Sequence, residues 1–343
     1  MGGFDVNDGT RIWKFNTVPE PWEPGADSWG NPVALKTGGG NTWTPMSYDP
    51  VSGLLYVPVG NPAPDFYDQN RPGANLYTNS VVALDAISGK LAWYYQAVPH
   101  DVRDWDLTHA GPIFQTPVAG AKRNVIAITG KDGLLRLLDR DTHDVLYQVP
   151  FTTREHVEGA IDTIPVRVCP GVLGGHEWNG SAYSPPLNLL FVPATDWCTW
   201  IRSAGEPPSL DQVRKGETMY FGGEPKYEPW QSASGWLTAF DASTGKPLWK
   251  YHAAQPMIGG VVATSGGLVL TGELNGNFDA FDGKTGKLLY QHNVGGPIGG
   301  GVISFMAGRK QYLAVVSGYV GLYNTAAPEL GGANPTITVF SLQ

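Results

Sequence analysis

The chain of 343 residues is poor in charged residues, and this shortage excludes several classes of partner. Only 16% of the residues are charged, the net charge is −8, and no cluster of lysine or arginine occurs. These features argue against nucleic acid and anionic membrane surfaces as partners. No apolar run approaches the roughly 20 residues that a membrane helix needs, and the first residues lack the basic and apolar regions of a signal peptide.

Cysteine and histidine are too few or too scattered for the common haem and zinc motifs. The two cysteines, Cys169 and Cys198, cannot form a four-ligand zinc site alone, and no CxxCH haem motif is present. Their spacing alone leaves open whether they form a disulfide. The seven histidines show neither H-x-H nor HExxH spacing, which argues against a histidine-rich metal site.

Glycine, proline and aromatic residues are plentiful instead. The chain has 45 Gly, 28 Pro, 12 Trp and 15 Tyr, and they are spread along its whole length. Evenly spread Gly and Pro indicate many turns, and therefore short strands rather than long helices. The 42% of hydrophobic residues is ample for a large core.

A repeat organises the chain. Five segments place an aromatic residue eight positions after an aspartate, and in four of them a glycine lies four positions after the aspartate: Asp5 with Trp13, Asp85 with Trp93, Asp139 with Tyr147, Asp241 with Trp249 and Asp282 with Tyr290. The aspartate can bond its own turn backbone, and the glycine supplies a positive φ between two strands. Each segment is therefore predicted to be a β-hairpin that ends in a large aromatic residue.

Further strand pairs lie between these hairpins, at 46–61, 124–139, 181–196 and 261–282. Two hairpins together make a four-stranded blade, and repeated blades of this kind stack radially. The pattern predicts an all-β protein, a β-propeller of about five four-stranded antiparallel blades. We expect one domain over residues 1–343, with few helices and with long insertions near 62–78 and 150–235.

The most acidic stretch, "PHDVRDWDLT" at 99–108, follows a predicted strand. So many carboxylates in ten residues are unfavourable unless solvent or a cation offsets their repulsion, which leaves a solvated loop and a metal site as alternatives. In an extended segment, residues two apart point the same way, so Asp104 and Asp106 can face one cation.

Several motifs resemble those of a known family. The sequences "TGGGNTWTPMSYDP" (37–50), "GNPAPDFYDQNRPGANLYT" (60–78), "PHDVRDWD" (99–106) and "ITGKDGLLRLLDRDT" (128–142) are similar to the pyrroloquinoline quinone (PQQ)-dependent alcohol dehydrogenases of the methanol and ethanol dehydrogenase type. The resemblance runs from about residue 3 to the end. Because the family has eight-bladed propellers, it implies that the chain corresponds to a C-terminal portion that lacks the N-terminal blades.

The resemblance also implies roles at a metal site, for Ca²⁺ or a lanthanide. Asn61 matches a family metal ligand, and Asp104 matches both a ligand and the catalytic base, which takes the proton of the substrate hydroxyl while hydride passes to C5 of the quinone. Asp106 matches an extra carboxylate ligand of lanthanide-using members, since an ion of higher charge favours another anionic oxygen.

Four residues resemble family positions that contact PQQ. Trp43 matches the tryptophan that forms the floor under the quinone ring. Lys131 matches the lysine or arginine that holds the quinone oxygens and polarises the C5 carbonyl. Glu177 and Trp178 match a segment that reaches the cofactor. Arg103 stands where the family often has tryptophan.

Further expectations follow from the same resemblance. They are a Cys169–Cys198 disulfide, a small alcohol as substrate, an electron acceptor such as a cytochrome c, and a periplasmic location. The family's metal-binding glutamate and the adjacent-cysteine disulfide that caps the quinone have no counterpart in this sequence. We therefore expect an oligomer or a partner chain to complete the ring, and little activity from this chain alone. The alternative is a non-catalytic propeller scaffold, or a truncated fragment, that keeps its site residues as relics.

Overall fold

The computed structural model describes residues 1–36, 38–206, 209, 211, 212, 215 and 221–341. Strands dominate these residues, and the helices are short, as the sequence predicted. They include an α-helix, α1 (Gly321–Ala326), and 3-10 helices at Ala26–Trp29, Ala34–Lys36, Trp230–Ser232 and Pro328–Leu330.

The first strands are β1 (Gly2–Phe4), β2 (Arg11–Lys14), β3 (Ser47–Asp49), β4 (Leu54–Pro58), β5 (Ser80–Asp85), β6 (Leu91–Gln96), β7 (Leu107–Val118), β8 (Ala121–Gly130), β9 (Leu134–Asp139) and β10 (Val145–Pro150). The next are β11 (Val166–Val168), β12 (Ala182–Ser184), β13 (Leu189–Asp196), β14 (Thr199–Ser203), β15 (Gly223–Tyr227), β16 (Ser234–Asp241) and β17 (Pro247–Ala253). The last are β18 (Val262–Ala263), β19 (Leu268–Gly272), β20 (Asn277–Asp282), β21 (Leu288–Asn293), β22 (Val302–Ala307), β23 (Lys310–Ser317) and β24 (Thr336–Ser341).

Four antiparallel sheets have the predicted four strands. They are blade 1 (β3–β6), blade 2 (β7–β10), blade 3 (β12, β13, β16 and β17) and blade 4 (β18–β21). A two-stranded hairpin (β1 and β2) precedes them, a three-stranded C-terminal sheet (β22–β24) follows them, and a separate side sheet is formed by β11, β14 and β15. The fold is a β-propeller, as predicted. The range 150–235 holds this side sheet as well as the first two strands of blade 3.

The core lies between successive blades, and β8 of blade 2 shows how alternation builds it. Val125 and Ala127 pack with residues of blade 3, whereas Ile126 and Ile128 pack with residues of blade 1. Successive side chains of a strand point to opposite faces, so a strand buried on both faces is apolar throughout.

The repeat aromatics join each blade to the next one. Trp249, in the last strand of blade 3, donates its indole N–H to the Gly283 carbonyl in blade 4, at 3.0 Å. Its ring lies against Gly286, which has a φ of +73° and where a Cβ would overlap the indole. The third repeat has His143 in place of this glycine, also at positive φ, and it stacks on Trp93 of blade 1 with ring centroids 4.7 Å apart.

The structure confirms the disulfide that the resemblance implied, between Cys169 and Cys198. Cys169 follows β11 and Cys198 precedes β14, so the bond links these two paired strands of the side sheet at one end. Within the part of the chain that the structure describes, no helix has the length and apolar character that crossing a bilayer requires.

One edge of the blades carries the predicted site residues. Trp43 precedes β3, Asn61 follows β4, Asp104 lies between β6 and β7, Lys131 follows β8, and Glu177 precedes β12. Because neighbouring strands are antiparallel, these five chain positions come to the same side of blades 1 to 3.

Candidate cation and cofactor site

The buried ammonium group of Lys131 is the centre of the site. Its Nζ lies 2.7 Å from Asp106 Oδ2 and 3.2 Å from Asp104 Oδ2, and only 5% of the residue is exposed. The Lys131 backbone N–H donates to the Asp106 carbonyl at 3.0 Å, which ties the end of β8 to the acidic loop. The structure thus brings both aspartates to one positive charge.

The acidic loop is shaped by a third, buried aspartate. The Asp101 carboxylate accepts the backbone N–H groups of Arg103 at 3.0 Å and of Trp105 at 2.9 Å. Asp104 lies between these two residues with a left-handed φ of +59°. The Trp105 indole N–H donates to the Pro170 carbonyl at 3.1 Å, so this ring anchors the loop away from Lys131. A carboxylate that accepts two backbone donors acts here as a local scaffold.

Asn61 joins the same cluster through its backbone. Its N–H donates to Asp106 Oδ1 at 2.8 Å, and its side-chain nitrogen donates to the Pro62 carbonyl at 3.2 Å. A Cβ on the preceding Gly60 would overlap that Asp106 oxygen. Only glycine therefore allows the Asn61 backbone to come this close to the carboxylate.

A fully buried arginine holds the two loops together. Arg71 donates to the Pro64 carbonyl through Nε at 3.2 Å and through Nη2 at 2.8 Å. Its Nη2 also donates to the Asp101 carbonyl at 2.7 Å, and its Nη1 donates to Asn75 Oδ1 at 3.0 Å. The planar guanidinium group thereby sets the distance between the Asn61 loop and the acidic loop.

Trp43 offers a flat apolar face beside the lysine. The Lys131 Nζ lies 5.5 Å from the centre of the indole ring, within the range of a cation–π contact, and 43% of Trp43 is exposed. The turn that precedes it crosses the Asn61 loop through an isolated bridge between Gly39 and Pro62. An exposed indole next to a buried cation suits a planar ligand that carries negative charge.

Glu177 and Trp178 lie on opposite sides of their segment. Glu177 is buried, and its Oε1 has no hydrogen-bond partner among the described residues. Trp178 instead donates its indole N–H to the Gly299 carbonyl at 2.7 Å and packs edge-on against Tyr323. The structure brings Glu177 to the Lys131 cluster, while the Trp178 indole contacts the core below it.

Three carboxyl groups of the site, those of Asp104, Glu177 and Asp65, hold their protons more tightly than usual. Burial, with Asp106 and Asp65 nearby, raises the pKa of Asp104 well above its ordinary value, although Lys131 opposes the shift. Burial raises the pKa of Glu177 to about 7, and burial together with Asp106 raises that of Asp65 to about 7. Burial is the largest cause of each shift, neighbouring carboxyl groups add to it, and Lys131 opposes it.

The donor chemistry suits a hard cation. Asn61, Asp104 and Asp106 provide amide and carboxylate oxygens, and the unpartnered Glu177 Oε1 lies in the same cluster. In the described part of the chain, no three acidic, histidine or cysteine side chains are already arranged around a common point as ligands. Asp104 and Asp106 point instead at Lys131, which supplies one positive charge to the cluster.

Sequence reasoning missed several residues of this site, namely Asp65, Arg71, Asp101 and Tyr227. The pKa of Tyr227 is raised by burial and by the nearby Asp104. The acids at 65 and 101 are in loops, where aspartate is ordinarily solvated, and nothing in their spacing distinguishes them. Arg71 gives no such signal either, because its burial, and with it the need for several acceptors, appears only in the folded chain.

Comparison with known proteins agrees with this architecture. Residues 1–156 match the family model described as the β-propeller domain of glucose, ethanol and alcohol dehydrogenases. Residues 231–324 match the family model described as the outer membrane protein assembly factor BamB. The fold and the matched family together define a quinoprotein β-propeller. The sequence and fold of the chain are similar to those of the PQQ-dependent alcohol dehydrogenases, as its motifs predicted.

Individual relatives give the extent of the likeness. The dehydrogenase subunit of a quinone-type alcohol dehydrogenase from Acetobacter aceti is 31% identical over 98% of this chain and 50% of its own length. The solved quinohemoprotein alcohol dehydrogenase of Comamonas testosteroni superposes with a TM-score of 0.87 at 25% identity, covering 98% of this chain and 55% of that one. A europium-containing methanol dehydrogenase superposes with a TM-score of 0.82 at 26% identity, and the superposition covers 96% of this chain and 63% of that one. The chain spans about half the length of the curated relatives it matches.

Proposed function

We propose that this chain supplies the cation- and quinone-binding part of a PQQ-dependent dehydrogenase that oxidises a small alcohol. One observation carries the proposal: Asp104 and Asp106 both contact the buried Lys131 ammonium group, directly beside the exposed face of Trp43. The similarity to the PQQ-dependent alcohol dehydrogenases supports it, because a relative of this chain is a quinone-type alcohol dehydrogenase and a similar solved structure is a quinohemoprotein alcohol dehydrogenase.

In this proposal Asn61, Asp104 and Asp106 hold Ca²⁺ or a lanthanide ion. A hard cation prefers six or more oxygens, and these three side chains provide one neutral and two anionic donors. The second aspartate, Asp106, favours the lanthanide, because a trivalent ion gains more than a divalent one from an added negative charge. A solved methanol dehydrogenase that resembles this chain contains europium.

Trp43, Lys131, Glu177 and Trp178 are the residues proposed for the quinone. A bound PQQ would supply the oxidising chemistry, as the acceptor of the hydride from the alcohol. The indole face of Trp43 would support the ring, and the Lys131 ammonium group would bind its oxygens. Glu177 would act through its unpartnered Oε1, and Trp178 would support the segment from the core, through its bond to Gly299.

Asp104 is the proposed general base for the substrate hydroxyl. A base must be ionised to accept a proton, and burial raises the pKa of Asp104 well above its ordinary value. Lys131, at 3.2 Å, opposes that shift, and a bound cation would lower the pKa further. In this proposal the cation therefore also keeps the Asp104 carboxyl group ionised, as a general base must be.

The complete enzyme is proposed to need further blades and an electron acceptor such as a cytochrome c. Apolar side chains are exposed in the first hairpin, at Phe4 and Ile12, and in the C-terminal sheet, at Ile337 and Val339. Such faces drive association, so we propose an oligomer or a partner chain that completes the ring. The disulfide supports an oxidising compartment, in this family the periplasm.

The proposal is tested by titrating PQQ into the protein with Ca²⁺ or La³⁺, following quinone absorbance and dye reduction with ethanol. We expect weak PQQ binding that requires the cation, and negligible dye reduction until a polypeptide that supplies the remaining blades is added. Asp104→Asn should abolish turnover in that assembly, while Asp144→Asn, at an exposed turn position, should not.

Three outcomes would count against it. PQQ binding that ignores the cation would contradict the proposed site. Full alcohol oxidation by the single chain would contradict the need for further blades. A complete ring without turnover, with either cation, would favour the non-catalytic scaffold.

A further inference from the structure

The connection between β23 and β24 sends one side chain into the core below the candidate site. This residue is Tyr323 of α1, which is fully buried. Its hydroxyl group donates to the Leu173 carbonyl at 2.7 Å, and the Thr195 hydroxyl oxygen lies 3.1 Å from the Tyr323 oxygen. Because a tyrosine hydroxyl has one proton, Thr195 is the donor in the second bond. Tyr323 therefore ties the C-terminal sheet to two segments of the chain near blade 3.

The two segments that Tyr323 bonds are also paired with each other. Thr195, in β13, and Gly175 exchange both of their backbone hydrogen bonds, at 2.8 and 2.9 Å. The next residue, His176, donates its N–H to the last carbonyl of β8 at 3.2 Å. Gly175 lies so close to Lys131 that a Cβ on Gly175 would overlap the Lys131 carbonyl. Tyr323 therefore holds a segment that lies directly against the Lys131 backbone.

This segment, residues 173–178, carries two of the residues proposed for the quinone. Glu177 and Trp178 lie at its end. The Trp178 ring packs edge-on against the Tyr323 ring, with the ring centroids 6.0 Å apart. Tyr323 thus contacts the segment at both ends, through its hydroxyl group at Leu173 and through its ring at Trp178.

The cation side of the site is held by other contacts. The Asp101 carboxylate fixes the loop of Asp104, and Arg71 sets the distance between this loop and the Asn61 loop. These bonds join loops of blades 1 and 2, whereas the hydroxyl group of Tyr323 bonds residues near blade 3. A change at Tyr323 should therefore affect the quinone side of the site more than the cation side.

We infer that Tyr323 is a positioning residue for the quinone side of the site. This inference rests on the proposed function. Without the hydroxyl group, the Leu173 carbonyl loses this bond and the Thr195 hydroxyl loses its acceptor. A buried polar group without a partner is unfavourable, so the segment relaxes to find new partners. Glu177 and Trp178 are then held less firmly, and PQQ binding weakens.

The test compares Tyr323→Phe with a matched control, Tyr147→Phe. Each variant loses a tyrosine hydroxyl group that donates to a backbone carbonyl, and the bond of Tyr147 is to Ala242, in the turn after β16, at 3.1 Å. In Tyr323→Phe we expect the PQQ affinity, titrated with La³⁺ present, to fall about tenfold. The affinity for Tb³⁺, followed by tryptophan-sensitised luminescence, should change by about twofold at most. Tyr147→Phe should leave both affinities unchanged.

Hydrogen exchange of the protein without any ligand gives a readout that does not depend on PQQ. Mass spectrometry should show faster exchange in peptides that cover residues 171–178 of Tyr323→Phe, because the bonds of this segment open more often. The same peptides should exchange at the unaltered rate in Tyr147→Phe. Unchanged exchange in Tyr323→Phe would overturn the inference.

The binding results separate this inference from the proposed function. If Tyr323→Phe unfolds at a lower urea concentration but keeps its PQQ affinity, the role of Tyr323 is merely structural and the inference is wrong. Equal losses of PQQ and Tb³⁺ affinity would also overturn it, since the cation side is held by other residues. If the unaltered chain binds Tb³⁺ but no PQQ, the quinone site of the proposed function fails, and the inference fails with it.

Discussion

Two buried acidic clusters in this molecule solve the same electrostatic problem in different ways. One is the group around Lys131, in loops at the edge of the blades. The other is a pair within blade 4, Asp279 on β20 and Glu273 just after β19, which are 0% and 2% exposed. Buried carboxylates are costly unless a positive charge or a proton balances them.

Neutral donors surround the second cluster. Glu273 accepts hydrogen bonds from the Tyr251 hydroxyl at 3.2 Å and from the Asn275 amide at 2.8 Å, and Asp279 accepts one from the Gln291 amide at 2.9 Å. Burial and the Glu273 carboxyl group raise the pKa of Asp279 to about 7. A proton held by Asp279 below this pH takes the place that Lys131 has in the first cluster.

The difference shows what makes an acidic cluster suitable for a metal. The pair in blade 4 lies between packed sheets and is balanced by one proton. The Lys131 cluster has three acids, Asp104, Asp106 and Glu177, for one ammonium group, and it lies in loops beside a half-exposed tryptophan. Excess negative charge together with access from outside distinguishes the proposed cation site from the structural pair.

Replacement of Lys131 is expected to change the unfolding free energy more than any change at the second cluster. Lys131→Met leaves the surrounding carboxylates without a buried partner, and breaking such a pair typically costs about 3–5 kcal/mol. We expect a loss of unfolding free energy of that order in urea titrations at pH 7, partly recovered when La³⁺ is added.

Lys226→Met, at an exposed position, is the control and should change stability little. If Lys131→Met were as stable as the unaltered chain without added cations, the central role of the lysine in the first cluster would be wrong.

The second prediction concerns the proton in blade 4. Since the pKa of Asp279 is raised to about 7 in the folded chain, this group stabilises the fold fully below its unfolded pKa, and the contribution is lost as the pH rises towards 7. It amounts to at most about 4 kcal/mol. Asp279→Asn, whose amide can donate to Glu273 at every pH, should remove this component and flatten the stability profile between pH 4 and 8. Urea unfolding at several pH values measures the pH dependence of the unfolding free energy. If this dependence were the same in Asp279→Asn as in the unaltered chain, the protonation of Asp279 would be refuted.

The smallest expected effect is at Glu177. Burial raises the pKa of this carboxyl group to about 7 against the opposing effect of Lys131. As with Asp279, the contribution of Glu177 to the unfolding free energy is lost as the pH rises from its unfolded pKa towards 7. This contribution amounts to at most about 3 kcal/mol. Glu177→Gln should therefore be more stable than the unaltered chain at pH 8 and nearly equal to it at pH 4. Thermal melts at both pH values check this, and an effect larger than that of Asp279→Asn would contradict the expectation that Glu177 is the weaker of the two groups.

The repeat could be predicted from sequence because its physics is local. The positive φ at Gly286 and its counterparts follows from the turn, and even His143 takes the same conformation where the glycine is absent. Asp279 could not be recognised in this way. It lies in "FDAFD", where only the pairing of β20 with β21, and the register of Asp279 with Gln291, reveals its burial.

The residues of the candidate site also fall into two groups, those that local motifs predict and those that only the packing of the chain reveals. Asp104, Asp106 and Lys131 come from motifs, and the structure brings them together. Asp65 and Arg71 depend on how two distant loops meet, which no local pattern encodes. Trp178 belongs to a recognised segment, yet its hydrogen bond to Gly299 depends on the packing of the core below the site.

The most direct test counts La³⁺ bound per chain by isothermal titration calorimetry in three proteins: the unaltered chain, the double variant Asp104→Asn/Asp106→Asn, and Asp279→Asn. We predict one ion per chain, lost in the double variant and retained in Asp279→Asn. Unchanged binding in the double variant, or binding lost with Asp279, would contradict the assignment of the Lys131 cluster as the cation site.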